Sequence, residues 1–336
     1  MNLLDRINAF TQLGERLQSL TADEKQLLFD RAKIENPWFI ANNIALALDG
    51  ISLLLAKDAL TKWTSNYSLV NINSKKVGVA MAGNIPLVGF HDLLSVLIAG
   101  HTLYAKISHQ DTIILTYVIN LLKKIEPKFN DRIEVKERLN NVDAVVATGS
   151  DNTSRYFEYY FRIIPHIIRK NRTSCGVILG EEPTEELAKL GKDIYSYFGL
   201  GCRNVSKLYI PEGYDLSPLI TAFEKYSTVS QHHKYMNNYD YQKAILIINS
   251  IPFYDSGFSL LREETSLVSP LSVVYYEYYK DQNDLKHKIE QQENKLQCVA
   301  SAKGWFSESV AFGTTQTPEL TDYADEIDTM KFLSSI

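Results

Sequence analysis

Between Lys76 and Ser150 the chain alternates apolar runs of strand length with apolar runs of helical length, and this alternation restricts the fold more than any other feature of the sequence. Residues 77–83 (VGVAMAG) read as a buried strand, 85–100 (IPLVGFHDLLSVLIAG) as an apolar helix stopped by Gly100, and 101–107 (HTLYAKI) as a second strand. Asp111 to Ile125 reads as a second helix and Asp143 to Ser150 (DAVVATGS) as a further strand. Strands this uniformly apolar are buried on both faces, so the pattern predicts an α/β fold with a parallel sheet covered by helices. Ahead of it, residues 3–64 read as helices, with Thr21 and Glu24 spaced as a capping box. Behind it the same texture returns less cleanly: CGVIL at 175–179, a helix over 184–198, and SKLYIP at 206–211. KAILIIN (243–249) and LSVVYYEYY (271–279) are strand-like, and Asp284 to Asn294 reads as a charged helix.

The chain has 336 residues, 45% of them hydrophobic, enough for two cores or one large one. A formal charge of −5 gives no general attraction to nucleic acid or to anionic membranes, which leaves small-molecule chemistry. Asp5 and Arg6 interrupt what a secretory signal would need, and no run of about 18 apolar residues occurs; a cytoplasmic protein without membrane insertion is expected. Cys175, Cys202 and Cys298 are too few and too scattered for a disulfide framework, and their spacing matches no metal site. The 20 tyrosines include a YYEYY run at 275–279 and a related cluster near 156–160; packing explains them, and an acyl-chain tunnel is the sharper reading.

Four places carry candidate chemistry. Cys202 lies in FGLGCRNVSKLYIP, a glycine-rich turn between a helix and a strand, where backbone amides can meet an oxyanion and Arg203 would favour the thiolate. In AGNIPLVGF, Asn84 follows a buried strand and leaves an amide at the carboxyl edge of the sheet, where open α/β sheets bind ligands; asparagine also serves there simply as a turn former. Lys106 closes the strand TLYAKIS at the same edge. In ATGSDNTSR, Gly149 and Ser150 stand before a helix whose N-terminus would suit a phosphate. There is no GxGxxG fingerprint and no P-loop. His232 and His233 are adjacent and so point to different faces, which argues for local hydrogen bonding over a shared metal.

Taken in order, VGVAMAGNIP, LIAGHTLYAKISHQ, DAVVATGS, FGLGCRNVSKLYIP and REETSLVSPLSVV resemble the aldehyde dehydrogenase superfamily from about Val77 to the C-terminus. HKYMNNYDYQKA and ELTDYADEIDTMKFL point to its acyl-CoA reductase branch, which includes the fatty acid reductase component of bacterial bioluminescence systems. The resemblance implies a Rossmann-type parallel cofactor-binding sheet with N-terminal helices in residues 1–170 and an α/β catalytic domain in 171–311. It also implies a segment, 312–336, that returns toward the cofactor domain or an oligomer interface. It casts Cys202 as nucleophile, Asn84 as an oxyanion-stabilising amide, Lys106 with Ser108 and His109 at the cofactor ribose, and Gly149 with Ser150 at the pyrophosphate. The family's acidic residue at the nicotinamide ribose falls at Glu263 or Glu264, offset by about two residues from the pattern around Ser269 and Pro270.

Two departures bear on the reaction. Where hydrolytic members keep a glutamate that activates water, residues 167–179 (IIRKNRTSCGVIL) hold no carboxylate, which favours reduction of a thioester over oxidation of an aldehyde. His109 stands where an acid often binds the adenosine ribose; with nearby His101 this favours NADPH, with NADH as the second choice. The expected reaction is reduction of an acyl-CoA or acyl-carrier thioester to an aldehyde, with coenzyme A leaving and no metal involved. The rivals are a hydrolytic aldehyde dehydrogenase and a non-redox acyl-binding or acyl-transfer subunit of a complex. The chain is short for the superfamily, so some elements are expected to be trimmed, and homo-oligomers are common in it.

Overall fold

The computed structural model describes residues 1–69 and 72–336, which form two compact units, Met1–Asn171 with Glu319–Ile336 and Arg172–Pro318. The first unit opens with four helices, α1 (Leu3–Gln18), α2 (Ala22–Glu35), α3 (Ala41–Leu54) and α4 (Lys57–Thr64). At the start of α2 the Thr21 hydroxyl accepts the Glu24 N–H and the Glu24 carboxylate accepts the Thr21 N–H, closing the expected capping box. Then follow β1 (Lys76–Ala80), α5 (Phe90–Ala99), β2 (Thr102–Lys106), α6 (Thr112–Ile125), β3 (Ile133–Val135), β4 (Ala144–Thr148), α7 (Asp151–Phe161) and β5 (His166–Arg169). These strands form a five-stranded parallel sheet in the order β3-β2-β1-β4-β5. Val77, Val79, Leu103, Ala105 and Ala144 to Ala147 are buried, as a sheet covered on both faces requires.

The order reverses between β1 and β4. In an open parallel sheet that switch point is where the crevice outside the carboxyl ends takes a ligand. The expected helix at 85–100 begins only at Phe90, because Leu87 adopts a left-handed φ of 60° and holds the preceding residues in a turn. Its stop is as expected: Gly100, at φ 99°, terminates α5 in the left-handed conformation that glycine adopts most readily.

The second unit contains β6 (Thr173–Val177), α8 (Thr184–Tyr195), β7 (Val205–Pro211), α9 (Ser217–Phe223), α10 (His233–Ile248), β8 (Tyr254–Asp255) and β9 (Leu260–Glu263), then β10 (Val273–Tyr279), α11 (Gln282–Glu290), β11 (Leu296–Ser301) and β12 (Val310–Ala311). Its seven-stranded sheet runs β12-β11-β6-β7-β10-β9-β8, parallel except for the β8–β9 pair, with β7 in the middle. KAILIIN is not a strand but the last two turns of α10. Its apolar run is too short to distinguish the two periods, and only Leu246 of it is fully buried, while Ile247 and Ile248 are exposed. Chain-terminal helix α12 (Thr329–Ser335) belongs to the first unit, where it packs against α5. No helix among the described residues is long and apolar enough to cross a membrane.

The tyrosine clusters divide by element. Tyr275 and Tyr276 are buried in β10, whereas Tyr156, Tyr159 and Tyr160 project from α7 into solvent, so the 156–160 cluster lines no tunnel within its unit.

Candidate active site

The carboxyl edge of the five-stranded sheet collects most of the residues singled out in the first unit. Asn84 lies four residues beyond β1, exposed in the turn that leads to α5. Lys106 is the last residue of β2, in register with Ala80 of β1, and is exposed. Ser108 and His109 follow in the next loop, and the two turns touch: a Cβ on Gly83 would stand 2.6 Å from the Ser108 hydroxyl, so only glycine fits there. Across the switch point, Gly149 and Ser150 follow β4. Ser150 is the N-cap of α7, its hydroxyl accepting the Thr153 N–H, and the Gly149 N–H donates to the Arg169 carbonyl. Those two groups are therefore already used by the fold, and an anion here would have to meet the remaining first-turn amides of α7.

His101 does not share this edge. It precedes β2 at the sheet's amino end, where it is buried, its Nδ1 accepting the Lys75 N–H and its Nε2 hydrogen-bonded to the Leu333 carbonyl. Burial lowers its pKa, so it remains neutral near pH 7 and offers no charge to a 2′-phosphate.

In the stretch without a carboxylate, the side chain at the sheet edge is Arg169, at the end of β5. Its guanidinium is buried, with Nη1 donating to both oxygens of Asp92 at 2.8 and 2.7 Å and Nη2 donating to the Thr329 hydroxyl. It is a structural ion pair tying β5 to α5 and α12.

In the second unit, α8 ends at Tyr195 and the chain then passes through three consecutive left-handed residues, Tyr197 (φ 52°), Phe198 (φ 58°) and Gly199 (φ 80°), before reaching Cys202. The left-handed region is costly for tyrosine and phenylalanine, about 1–3 kcal/mol each, so such a run persists only where its surroundings impose it. Two clamps do so. The Phe198 ring packs on His232, with centroids 4.5 Å apart, and on Tyr235; His232 is itself the N-cap of α10 through the Tyr235 N–H.

Asn204, fully buried, is the second clamp and was not singled out from the sequence. Its Nδ2 donates to the carbonyls of Asp193 and Ser196, at 2.9 and 2.8 Å, and its Oδ1 accepts the Gly201 N–H at 2.8 Å. One amide thus caps the end of α8 and closes the turn that presents Cys202.

The Cys202 carbonyl accepts the Ser174 hydroxyl at 3.0 Å, and the same Ser174 oxygen lies 3.1 Å from the Cys298 sulfur. With its only proton directed at Cys202, Ser174 must accept from the Cys298 thiol, which gives Cys298 a supporting part in the turn. Cys202 itself is partly exposed, and Arg203 adjoins it. Cys175 is fully buried in β6, and burial raises its thiol pKa well above the usual range, which makes it inert.

Glu264 follows β9, and the loop after it doubles back along β7. The Lys207 ammonium donates to the Thr265 carbonyl and the Ser206 hydroxyl to the Leu267 carbonyl, so the loop runs toward the Cys202 end of that strand. The Glu264 carboxylate is engaged locally, paired with Arg262 at 2.6 Å and accepting the Thr265 and Ser266 amides, and these contacts hold its pKa low. Lys207 is wholly buried and pairs with Glu277, which also holds Lys288.

No family model matches the chain, and no curated protein matches it by sequence. Solved structures do match over 90% of its length. The NAD⁺ complex of an aldehyde dehydrogenase from Bacillus cereus aligns with a TM-score of 0.64 at 13% identity over 72% of its own chain. An aldehyde dehydrogenase from Mycobacterium tuberculosis complexed with NAD⁺ aligns at 0.65 and 12% over 73%. The propionaldehyde dehydrogenase of a fucose-utilisation microcompartment from Clostridium phytofermentans aligns at 0.59 and 9% over 78%. At these identities the likeness concerns architecture, and on that ground the chain has the fold of the aldehyde dehydrogenases.

Proposed function

We propose that the protein reduces an acyl thioester, an acyl-CoA or acyl-carrier substrate, to the aldehyde with NADPH, through an acyl-enzyme on Cys202. The observation that carries this reading is the Cys202 turn: a partly exposed thiol on a strained segment that Asn204, Ser174 and Phe198 hold in one conformation. Strain that the surroundings enforce points to a site where geometry matters. The direction of reaction rests on residues 167–179, where no carboxylate is present to activate water and the arginine is locked against Asp92.

The Cys202 thiolate attacks the thioester carbonyl carbon, forming the new C–S bond. The Asn84 amide and the Cys202 backbone N–H stabilise the oxyanion of the tetrahedral adduct. Collapse breaks the bond to coenzyme A, which leaves as its thiolate. NADPH, when bound, would supply the hydride; once the acyl carbonyl is reduced, the thiohemiacetal anion on Cys202 expels the thiolate and releases the aldehyde. No general base is needed in either half, which suits a site without the hydrolytic carboxylate.

The residues present fit a nicotinamide dinucleotide in kind: a lysine and an asparagine at adjacent strand ends, and the first turn of α7 across the switch point. Lys106, Ser108 and His109 would hold the adenosine ribose, Gly149 and Ser150 would border the pyrophosphate, and Glu264 would reach the nicotinamide ribose on release from Arg262. Without a carboxylate at 109, a 2′-phosphate meets no repulsion there. The test is a panel of acyl-CoA lengths with NADPH and with NADH, run beside aldehyde with NADP⁺ and no coenzyme A. Thioester-dependent cofactor oxidation that Cys202→Ala abolishes is expected. Aldehyde oxidation without coenzyme A, or labelling by acyl-CoA with no cofactor binding, would replace this reading with the hydrolytic or the non-redox one.

A further inference from the structure

Asp111 occupies the N-cap of α6, where an aspartate ordinarily accepts an N–H of its own helix, and it makes no such bond. Its carboxyl is turned away, toward the loop that follows β1, where Oδ2 accepts the Leu87 N–H at 2.7 Å. The cap it gives up is supplied from α2: Glu35 Oε2 accepts the Ile113 N–H at 3.0 Å. The helix has thus been capped from outside while its aspartate serves another turn. Leu87 is the left-handed residue that delays α5, and it stands three positions after Asn84. A leucine does not hold φ 60° unaided; its carbonyl accepts the Phe90 N–H, and the bond from its amide to Asp111 is the side-chain contact that holds it. Asp111 is 2% exposed, and its second oxygen, Oδ1, is buried with no hydrogen-bond partner.

We infer that Asp111 is a positioning residue for the Asn84 turn, setting the place of the oxyanion amide through the Leu87 N–H without touching substrate. This rests on the proposed role of Asn84. An unpartnered buried oxygen is a standing cost that the fold would shed if capping or solubility were the purpose of the residue. Burial foremost, with the Glu35 carboxylate adding to it, raises the Asp111 pKa to about 8, so near neutrality the group is a neutral acid that accepts through Oδ2. Asparagine presents the same acceptor, and alanine presents none.

The test uses the full chain, with hydrogen exchange at the Leu87 amide and steady-state kinetics measured on Asp111→Ala and Asp111→Asn. Asp111→Ala should speed Leu87 exchange and lower kcat, each by about tenfold, while KM for thioester and affinity for NADPH stay within about twofold. Asp111→Asn should restore both readouts to near wild type. A Leu87 amide as protected in Asp111→Ala as in the wild type would overturn the inference, and so would an unprotected amide with unchanged kcat. If Asp111→Ala fails to fold, Asp111→Asn decides alone: a deprotected Leu87 amide, or kcat below a tenth of wild type, counts against the inference. Absence of thioester-dependent turnover in the wild type would remove the role of Asn84, whereas Leu87 exchange, which needs no turnover, reports separately whether Asp111 holds the turn.

Discussion

The two turns that carry the proposed chemistry are built in opposite ways. The Cys202 turn is over-determined: Asn204 binds it to α8 and closes it, Ser174 holds the Cys202 carbonyl, and Phe198 is packed on His232 and Tyr235. In the Asn84 turn the left-handed Leu87 accepts the Phe90 N–H at its carbonyl, and its own N–H is held by one ionisable group, Asp111. A nucleophile that forms and breaks a covalent bond has to keep one position throughout. The Asn84 turn is instead held at its Leu87 N–H by a carboxyl that titrates, which leaves it open to pH.

The largest expected effect separates the two on this point. A carboxyl whose folded pKa lies above its unfolded value binds its proton more tightly when folded, so the stability it confers is complete at low pH and is lost as pH rises toward the folded value. For Asp111, raised from 3.8 to about 8, that window spans the neutral range. Denaturant titrations of the first unit's transition should show stability falling by as much as about 4 kcal/mol between pH 5 and pH 8, a loss that Asp111→Asn abolishes. An equal pH dependence in Asp111→Asn would break the contrast.

Next in size is Asn204→Ala, which strips two donors and one acceptor from buried partners and should cost about 3 kcal/mol of stability in chemical denaturation. It should also slow acylation of Cys202, because the turn that presents the thiol is no longer closed. Asn84→Ala should lower kcat by about a hundredfold with NADPH affinity unchanged, separable by kinetics and by cofactor titration. A fall in affinity instead would make Asn84 a cofactor ligand. The smallest change is Ser150→Ala, which removes the α7 cap and should cost about 1 kcal/mol, seen as a lowered unfolding midpoint.

Much of this architecture is legible in the sequence because parallel strands buried on both faces write themselves as apolar runs: VGVAMAG, HTLYAKI and DAVVATGS all fall on strands of the first sheet. The capping box at Thr21 and the stop at Gly100 are local signals and were equally readable. What failed to show depends on partners distant in sequence or on conformations that residue type does not announce. KAILIIN has strand composition but continues a helix already under way. Leu87, Tyr197 and Phe198 adopt left-handed backbone without being glycine, which only tertiary contacts can impose. Asn204 looks like one more residue of a turn until its partners are in view, Asp193 in α8 and Ser196 just past its end, 11 and 8 residues back. His101, adjacent in sequence to the strand that ends at Lys106, lies at the opposite end of it, because a strand of five residues separates the two edges of the sheet.

The central claim is that Cys202 carries the acyl group, and intact-protein mass spectrometry after incubation with an acyl-CoA in the absence of NADPH tests it most directly. One acyl adduct is expected, mapped by peptide digestion to Cys202, absent from Cys202→Ala and discharged when NADPH is added. An adduct on Cys298 or Cys175 instead, or an adduct on Cys202 that NADPH leaves in place, would contradict it.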